Sequence, residues 1–198
     1  MRAYGDVAYP CRLRYSRVVR YSQSQLDVLP VGERLAAIAV LSVAVPAPLR
    51  DRLGAGAVGQ GAPLLVERLI GLDEAARWLP VYMDHYRGHN GARALLYGDA
   101  KEGLDAMRAM GLAIACVTNK PRELVSPLLE RLGIASHFDV LIGGGDTVER
   151  KPHPAPLLMA CTRMKVAADA CVMIGDSKND ALAARAAGME GVGIPEAN

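Results

Sequence analysis

The stretch Cys171-Val172-Met173-Ile174-Gly175-Asp176-Ser177-Lys178-Asn179-Asp180-Ala181-Leu182 passes from four apolar residues, through a glycine and two carboxylates, into a segment of helical pattern. An apolar run with no polar alternation, closed by a glycine turn and followed by a helix, reads as a parallel strand buried on both faces and feeding a crossover. The unit recurs upstream. Residues 112–117 (LAIACV) and 140–142 (VLI) read as strands, and a last one falls near Val192. Helices are expected over 101–110, from beyond the 112–117 strand to Leu132, over 155–164 and over 180–187. Strands alternating with helices in this way predict an α/β fold: a doubly wound parallel sheet covered on both faces.

Outward from that core the pattern changes. Over 61–93 Leu64, Leu65, Leu69 and Leu72, then Trp78, Val81, Tyr82 and Tyr86, recur at helical spacing, which predicts two helices of a small accessory layer. Residues 35–45 (LAAIAVLSVAV) fit a buried strand or a short helix, ended either way by Pro46 and Pro48. The first fifty residues hold seven arginines and no lysine and show no clean periodicity before Leu35, so no element is assigned there.

Composition narrows the function classes. With 51% hydrophobic and 22% charged residues the chain is globular in balance. A net charge of +2 gives no case for nucleic acid or a membrane surface as partner, leaving small soluble substrates. Cys11, Cys116, Cys161 and Cys171 form no CxxC pair, and three lie in apolar runs, which reads as a reduced, cytoplasmic protein. The apolar stretch over 35–48 is too short for a membrane span. Oligomeric state is not legible.

In open α/β sheets ligands bind beyond the carboxyl ends of the strands, so the residues closing each apolar run are the ones to inspect. After Val117 come Thr118-Asn119-Lys120-Pro121, a hydroxyl and an amide before a helix start, equally readable as a plain N-cap. After Ile142 come Gly143-Gly144-Gly145-Asp146 and then Arg150-Lys151-Pro152-His153-Pro154, which places Lys151 like a phosphate-binding point charge. Asp176 and Asp180, at a strand tip and helix start, can offer oxygens to one hard cation such as Mg²⁺.

Taken together, Val117-Thr118-Asn119-Lys120-Pro121, Arg150-Lys151-Pro152-His153-Pro154 and Gly175-Asp176-Ser177-Lys178-Asn179-Asp180 resemble the second, third and fourth motifs of the haloacid dehalogenase superfamily. Ser126-Pro127-Leu128-Leu129, Phe138-Asp139-Val140-Leu141-Ile142-Gly143-Gly144 and Pro152-His153-Pro154-Ala155-Pro156-Leu157-Leu158 are similar to its phosphoglycolate phosphatase branch, and Val58-Gly59-Gln60-Gly61-Ala62-Pro63 resembles the glycine-rich turn of its helical cap. The resemblance implies Mg²⁺-dependent hydrolysis of 2-phosphoglycolate to glycolate and phosphate through an aspartyl-phosphate. It assigns Thr118 and the Asn119 N–H to the phosphoryl oxygens and Lys151 to their charge. Asp176 falls to the metal, and Asp180 to supporting the metal or orienting Lys151. The implied layout is an atypical leader over 1–53, a helical cap remnant over 54–95 and an α/β core over 96–198, truncated at its end.

The family's first motif, Asp-x-Asp-x-Thr at the tip of the first strand, supplies the nucleophile, and no Asp-x-Asp occurs anywhere in this chain. Asp6, Asp27 and Asp51 are the early aspartates, none following an apolar strand in the required pattern, and Arg20-Tyr21-Ser22-Gln23-Ser24 after Val18-Val19 holds no carboxylate. No nucleophile is assigned. Residues 35–45 are the segment able to fill the central slot of the missing first strand. Two accounts stand open: a gene with shifted ends around an intact middle, and a diverged relative that binds a phosphate ester or a protein without turnover. Another small phosphate monoester is a further substrate reading. Gly54-Ala55-Gly56-Ala57-Val58-Gly59 fits the dinucleotide fingerprint in letters but follows no strand. His85 and His89 are spaced for a metal pair without a third ligand, and Gly88 weakens the helix between them.

Overall fold

A computed structural model describes residues 61–92, 94–96 and 99–193, together with the backbone of 36–39. Asp6, Asp27 and Asp51, the glycines of 54–59 and residues 58–60 of the turn lie outside the described residues. The elements in chain order are β1 (Ala36–Ala39), α1 (Ala62–Ile70), α2 (Leu72–His89), α3 (Ala100–Ala109), β2 (Ala113–Pro121), α4 (Arg122–Arg131), β3 (Val140–Gly144), α5 (Ala155–Met164), β4 (Cys171–Gly175), α6 (Lys178–Ala187) and β5 (Glu190–Gly193).

The five strands form one parallel sheet in the order β3-β2-β1-β4-β5. β1 therefore takes the central place, with Ala39 level with Cys116 on one side and Ile174 on the other. Of the two readings open for residues 35–45, the strand is the one formed, over Ala36–Ala39. From β1 the strand order runs outward in both directions, so the crevice between the β2 and β4 tips is the place such a sheet offers a ligand.

β2 shows why the apolar runs lack alternation. Ile114 and Cys116 enter one core cluster with Leu104, Val125, Leu129 and Ile134, from α3, α4 and the turn after α4. Ala115 and Val117 enter the other, with Leu157, Ala160 and Cys161 of α5 and Ala183 and Ala184 of α6. Side chains alternate between faces at period two, but both faces are buried, so every position is apolar. Cys161 and Cys171 are unbridged, their Sγ atoms 3.5 Å apart inside this core.

The accessory layer is two helices, as the spacing predicts, with Gly71 at φ +85 closing α1 and opening α2. Its apolar face differs from the sequence reading: Ala62 and Val66 are the buried residues of α1, whereas Leu72 is 72% exposed. α2 also runs unbroken through Gly88 to His89. No helix among the described residues is long and apolar enough to cross a membrane.

Candidate functional site

β2 is longer than its apolar run. After a register shift beyond Val117 it continues through Thr118, Asn119 and Lys120 until Pro121 pairs with Gly144 of β3. The helix N-cap reading of Thr118 is thus corrected, since α4 begins only at Arg122. The extension needs Gly144: a Cβ there would lie 2.6 Å from the Asn119 carbonyl oxygen. Only the missing side chain lets the two backbones approach so closely.

Asn119 and Lys151 are joined by a reciprocal pair of bonds. The Asn119 Nδ2 donates to the Lys151 carbonyl at 2.8 Å, and the Lys151 N–H donates to Asn119 Oδ1 at 3.0 Å. The buried Asn119 side chain is therefore a clamp on the loop carrying Lys151, a role with no signal in the sequence. Lys151 reaches back under the sheet tips, donating from Nζ to the Val117 carbonyl at 2.6 Å and to Asp180 Oδ1 at 2.8 Å. Among the described residues these contacts occupy two of its three N–H groups.

Asp180 faces Lys151 because of how α6 starts. Ser177 is the N-cap, and its hydroxyl and N–H both donate to Asp180 Oδ2, at 2.7 and 3.1 Å, in a capping box. Both Asp180 oxygens are thereby engaged, Oδ1 by Lys151 and Oδ2 by Ser177. Gly175 makes room for this, since a Cβ there would stand 2.6 Å from the Asp180 carboxylate.

Thr118 and Asp176 each lie two residues past the level set by Ala39, on either side of the β1 line. With neighbouring strands about 4.8 Å apart, the two positions are roughly 10 Å apart, room for a phosphoryl group between them. Asp176 is partly buried at the β4 tip. Mg²⁺ is commonly held by one or two carboxylates, water and a substrate phosphate, so Asp176 fits as its protein ligand once a phosphate is bound beside Thr118. In sequence, the residues after Ala39 are Val40-Leu41-Ser42-Val43-Ala44-Val45, none of them acidic.

The helical layer meets the site at two points. Gly61, at φ +91, sits so close that a Cβ would lie 2.9 Å from the Arg150 guanidinium and 3.3 Å from the Asn119 carbonyl. From α2, Tyr86 accepts a 2.6 Å hydrogen bond from Lys120 Nζ, which also lies 4.2 Å from the ring centroid. Burial drops the Lys120 ammonium to about 8 and pushes the Tyr86 phenol up to about 12, with Tyr82 adding to the latter. Sequence reasoning placed Tyr86 on a helix face and Lys120 in a motif, but nothing in either signalled the contact. His85 and His89 stack 6.5 Å apart with a His89 ring nitrogen on the His85 carbonyl. Among the described residues no group of three or more His, Cys, Asp or Glu side chains gathers to hold a metal.

The structure thus brings Thr118, Asn119, Lys151, Asp176 and Asp180 to one edge of the sheet. Comparison with known proteins bears on the family of the chain. The family described as haloacid dehalogenase-like hydrolase matches residues 15–188. The chain is 43% identical to a phosphoglycolate phosphatase of Colwellia psychrerythraea over 147 residues, 69% of this chain and 65% of that protein. It is 43% identical to a phosphoglycolate phosphatase of Escherichia coli K12 over 123 residues, 62% of this chain and 49% of that protein. It therefore spans about half to just under two thirds of the length of these relatives. A crystal structure of a predicted phosphoglycolate phosphatase from Haemophilus somnus superimposes with a TM-score of 0.71 at 26% identity, covering 82% of this chain and 86% of that one.

Proposed function

The chain belongs to the haloacid dehalogenase-like hydrolase family, and from that premise we propose that its site holds a small phosphate monoester, 2-phosphoglycolate, together with Mg²⁺. The observation that carries this is the buried Lys151–Asp180 pair beneath the strand tips, with Thr118 and Asp176 on either side of the central strand. A lysine paired to a carboxylate, a hydroxyl and a second carboxylate suit a phosphoryl dianion and its metal better than an uncharged ligand. The name carried by the relatives supports the two-carbon acid as substrate. A cytoplasmic setting belongs to the same reading.

In this reading Thr118 and the Asn119 N–H orient the phosphoryl oxygens, Asn119's side chain fixes the Lys151 loop, and Lys151 stabilises charge as it develops. Asp176 would hold Mg²⁺, which when bound would supply further charge neutralisation. The family's chemistry transfers phosphorus from the ester oxygen to an aspartate. The ester oxygen leaves with a proton as glycolate, and water then cleaves the acyl phosphate to restore the carboxylate. Neither Thr118 nor Lys151 can take the place of that aspartate. With no acid among residues 40–45 and no Asp-x-Asp in the chain, we read this chain as binding the ester without family-like turnover.

Calorimetric titration tests the binding half. Inorganic phosphate with Mg²⁺ should bind the native chain, and Asp176→Asn should weaken Mg²⁺ binding by tenfold or more, on the order of one charge-assisted contact. Equal Mg²⁺ affinity before and after the substitution removes Asp176 from the metal.

A further inference from the structure

Among the described residues Lys120 is a cation with no carboxylate partner. Its neighbour Lys151 is paired to Asp180, whereas among the described residues no carboxylate lies within ion-pair distance of Lys120. Its ammonium meets the Tyr86 oxygen at 2.6 Å and the face of the same ring. Burial keeps Tyr86 a neutral phenol, so it cannot serve as the missing anion. A half-buried ammonium that has lost water and gained no opposite charge is unfavourable, and the depressed Lys120 value expresses that cost. An anion arriving with a ligand would relieve it.

The position of Lys120 says which part of the ligand that is. It follows Thr118 by two residues on the extended end of β2, its N–H donates to Thr118 Oγ1 at 3.2 Å, and its side chain turns to α2 at the seam between sheet and helical layer. A ligand whose phosphate rests beside Thr118 meets the Lys120 ammonium toward that seam, where the Arg150 guanidinium also lies, beside Gly61. We propose that Lys120 receives the carboxylate of a short phosphorylated acid, and that Tyr86 positions the ammonium for it. The inference rests on the phosphate-ester reading above and adds the residue that separates a phosphorylated acid from a phosphorylated alcohol. A lysine suits this place: a compact point charge on a flexible stem adapts to a carboxylate whose exact placement varies with chain length.

The test is a ratio of affinities. Native chain, Lys120→Met, Lys120→Arg and Tyr86→Phe are each titrated, with Mg²⁺ present, with inorganic phosphate, ethyl phosphate and 2-phosphoglycolate. The last two differ by the acid group. The native chain should prefer 2-phosphoglycolate over ethyl phosphate by about tenfold or more, the worth of one charge-assisted hydrogen bond. Lys120→Met should bring that ratio close to one, Lys120→Arg should retain part of it, and Tyr86→Phe should lower it by less than Lys120→Met. Partial unfolding lowers both affinities of a sample alike and leaves the ratio intact. An unchanged ratio in Lys120→Met overturns the inference while leaving the phosphate site standing. Failure of the native chain to bind inorganic phosphate overturns the site reading and this inference with it.

Discussion

Replacing Asp180 with Asn perturbs the centre of the site with the least change in shape. The two side chains of the Lys151–Asp180 pair are 3% and 4% exposed, with Nζ and Oδ1 2.8 Å apart. Asn preserves the volume but leaves the lysine's charge facing the Val117 carbonyl alone. Breaking a buried pair from one side costs about 3–5 kcal/mol, against roughly 5–15 kcal/mol for a whole domain. With a urea slope near ~2 kcal/mol per M, the midpoint should fall by about 1.5–2.5 M. Substituting both partners, Lys151→Met with Asp180→Leu, removes the stranded charge. That variant keeps the loss of the Ser177 capping box, about 1 kcal/mol, the loss of the Lys151 donor at the Val117 carbonyl, and some repacking. The double substitution should therefore be less destabilising than the sum of the singles by about 2 kcal/mol or more. Urea unfolding of five proteins, the native chain, Asp180→Asn, Lys151→Met, Asp180→Leu and the double variant, followed by circular dichroism, completes the comparison. A loss under about 1 kcal/mol for Asp180→Asn, or simple additivity, would refute the argument that this pair is a buried, mutually dependent charge couple.

Gly144→Ala pushes a methyl group against the Asn119 backbone and should destabilise by about 1–3 kcal/mol while displacing the Asn119–Lys151 clamp, visible as a lower melting midpoint and weaker phosphate binding. Lys120 holds fewer protons folded than unfolded between about 8 and its ordinary 10.5, so its effect on stability rises with pH across that window. The stability difference between Lys120→Met and the native chain, largest in favour of the variant below pH 8, should narrow by pH 10.5, read from urea midpoints at each pH. Hydrogen bonds from Lys101 and then His137 hold Asp105 below its usual 3.8. Its contribution is present above that value and lost as pH falls through the folded value, so Asp105→Asn should destabilise the chain at neutral pH and stop doing so in acid.

The strands legible in the sequence are those whose two faces are both buried, because continuous burial writes a continuous apolar run: Ile114 to Val117 and Cys171 to Ile174 read directly. β1 is ambiguous because LAAIAVLSVAV suits strand and buried helix alike, and its pairing with β2 and β4 arbitrates. The end of β2 is misread because Thr118, Asn119 and Pro121 carry cap-like chemistry, while the strand continues there only because Gly144, far along the chain, admits the Asn119 backbone. At the site, charge and position pick out Lys151, Asp176 and Asp180. What the sequence leaves invisible are contacts across long separations: Asn119 gripping Lys151, and Tyr86 on α2 meeting Lys120. Side-chain bonds of that kind leave no periodicity to read.

If the site holds a phosphate ester and Mg²⁺ but lacks a group to attack phosphorus, as proposed above, phosphate release from 2-phosphoglycolate with Mg²⁺ will show it. Three proteins are compared: the native chain, a chimera whose residues before β1 and through its tip are replaced by a strand carrying Asp-x-Asp-x-Thr, and that chimera with Asp176→Asn. The account predicts no family-like release from the native chain, release from the chimera, and its loss on Asp176→Asn. Robust release from the native chain, abolished by Asp176→Asn, would contradict it and point to a nucleophile in this chain, with Asp6 and Asp27 the first aspartates to test.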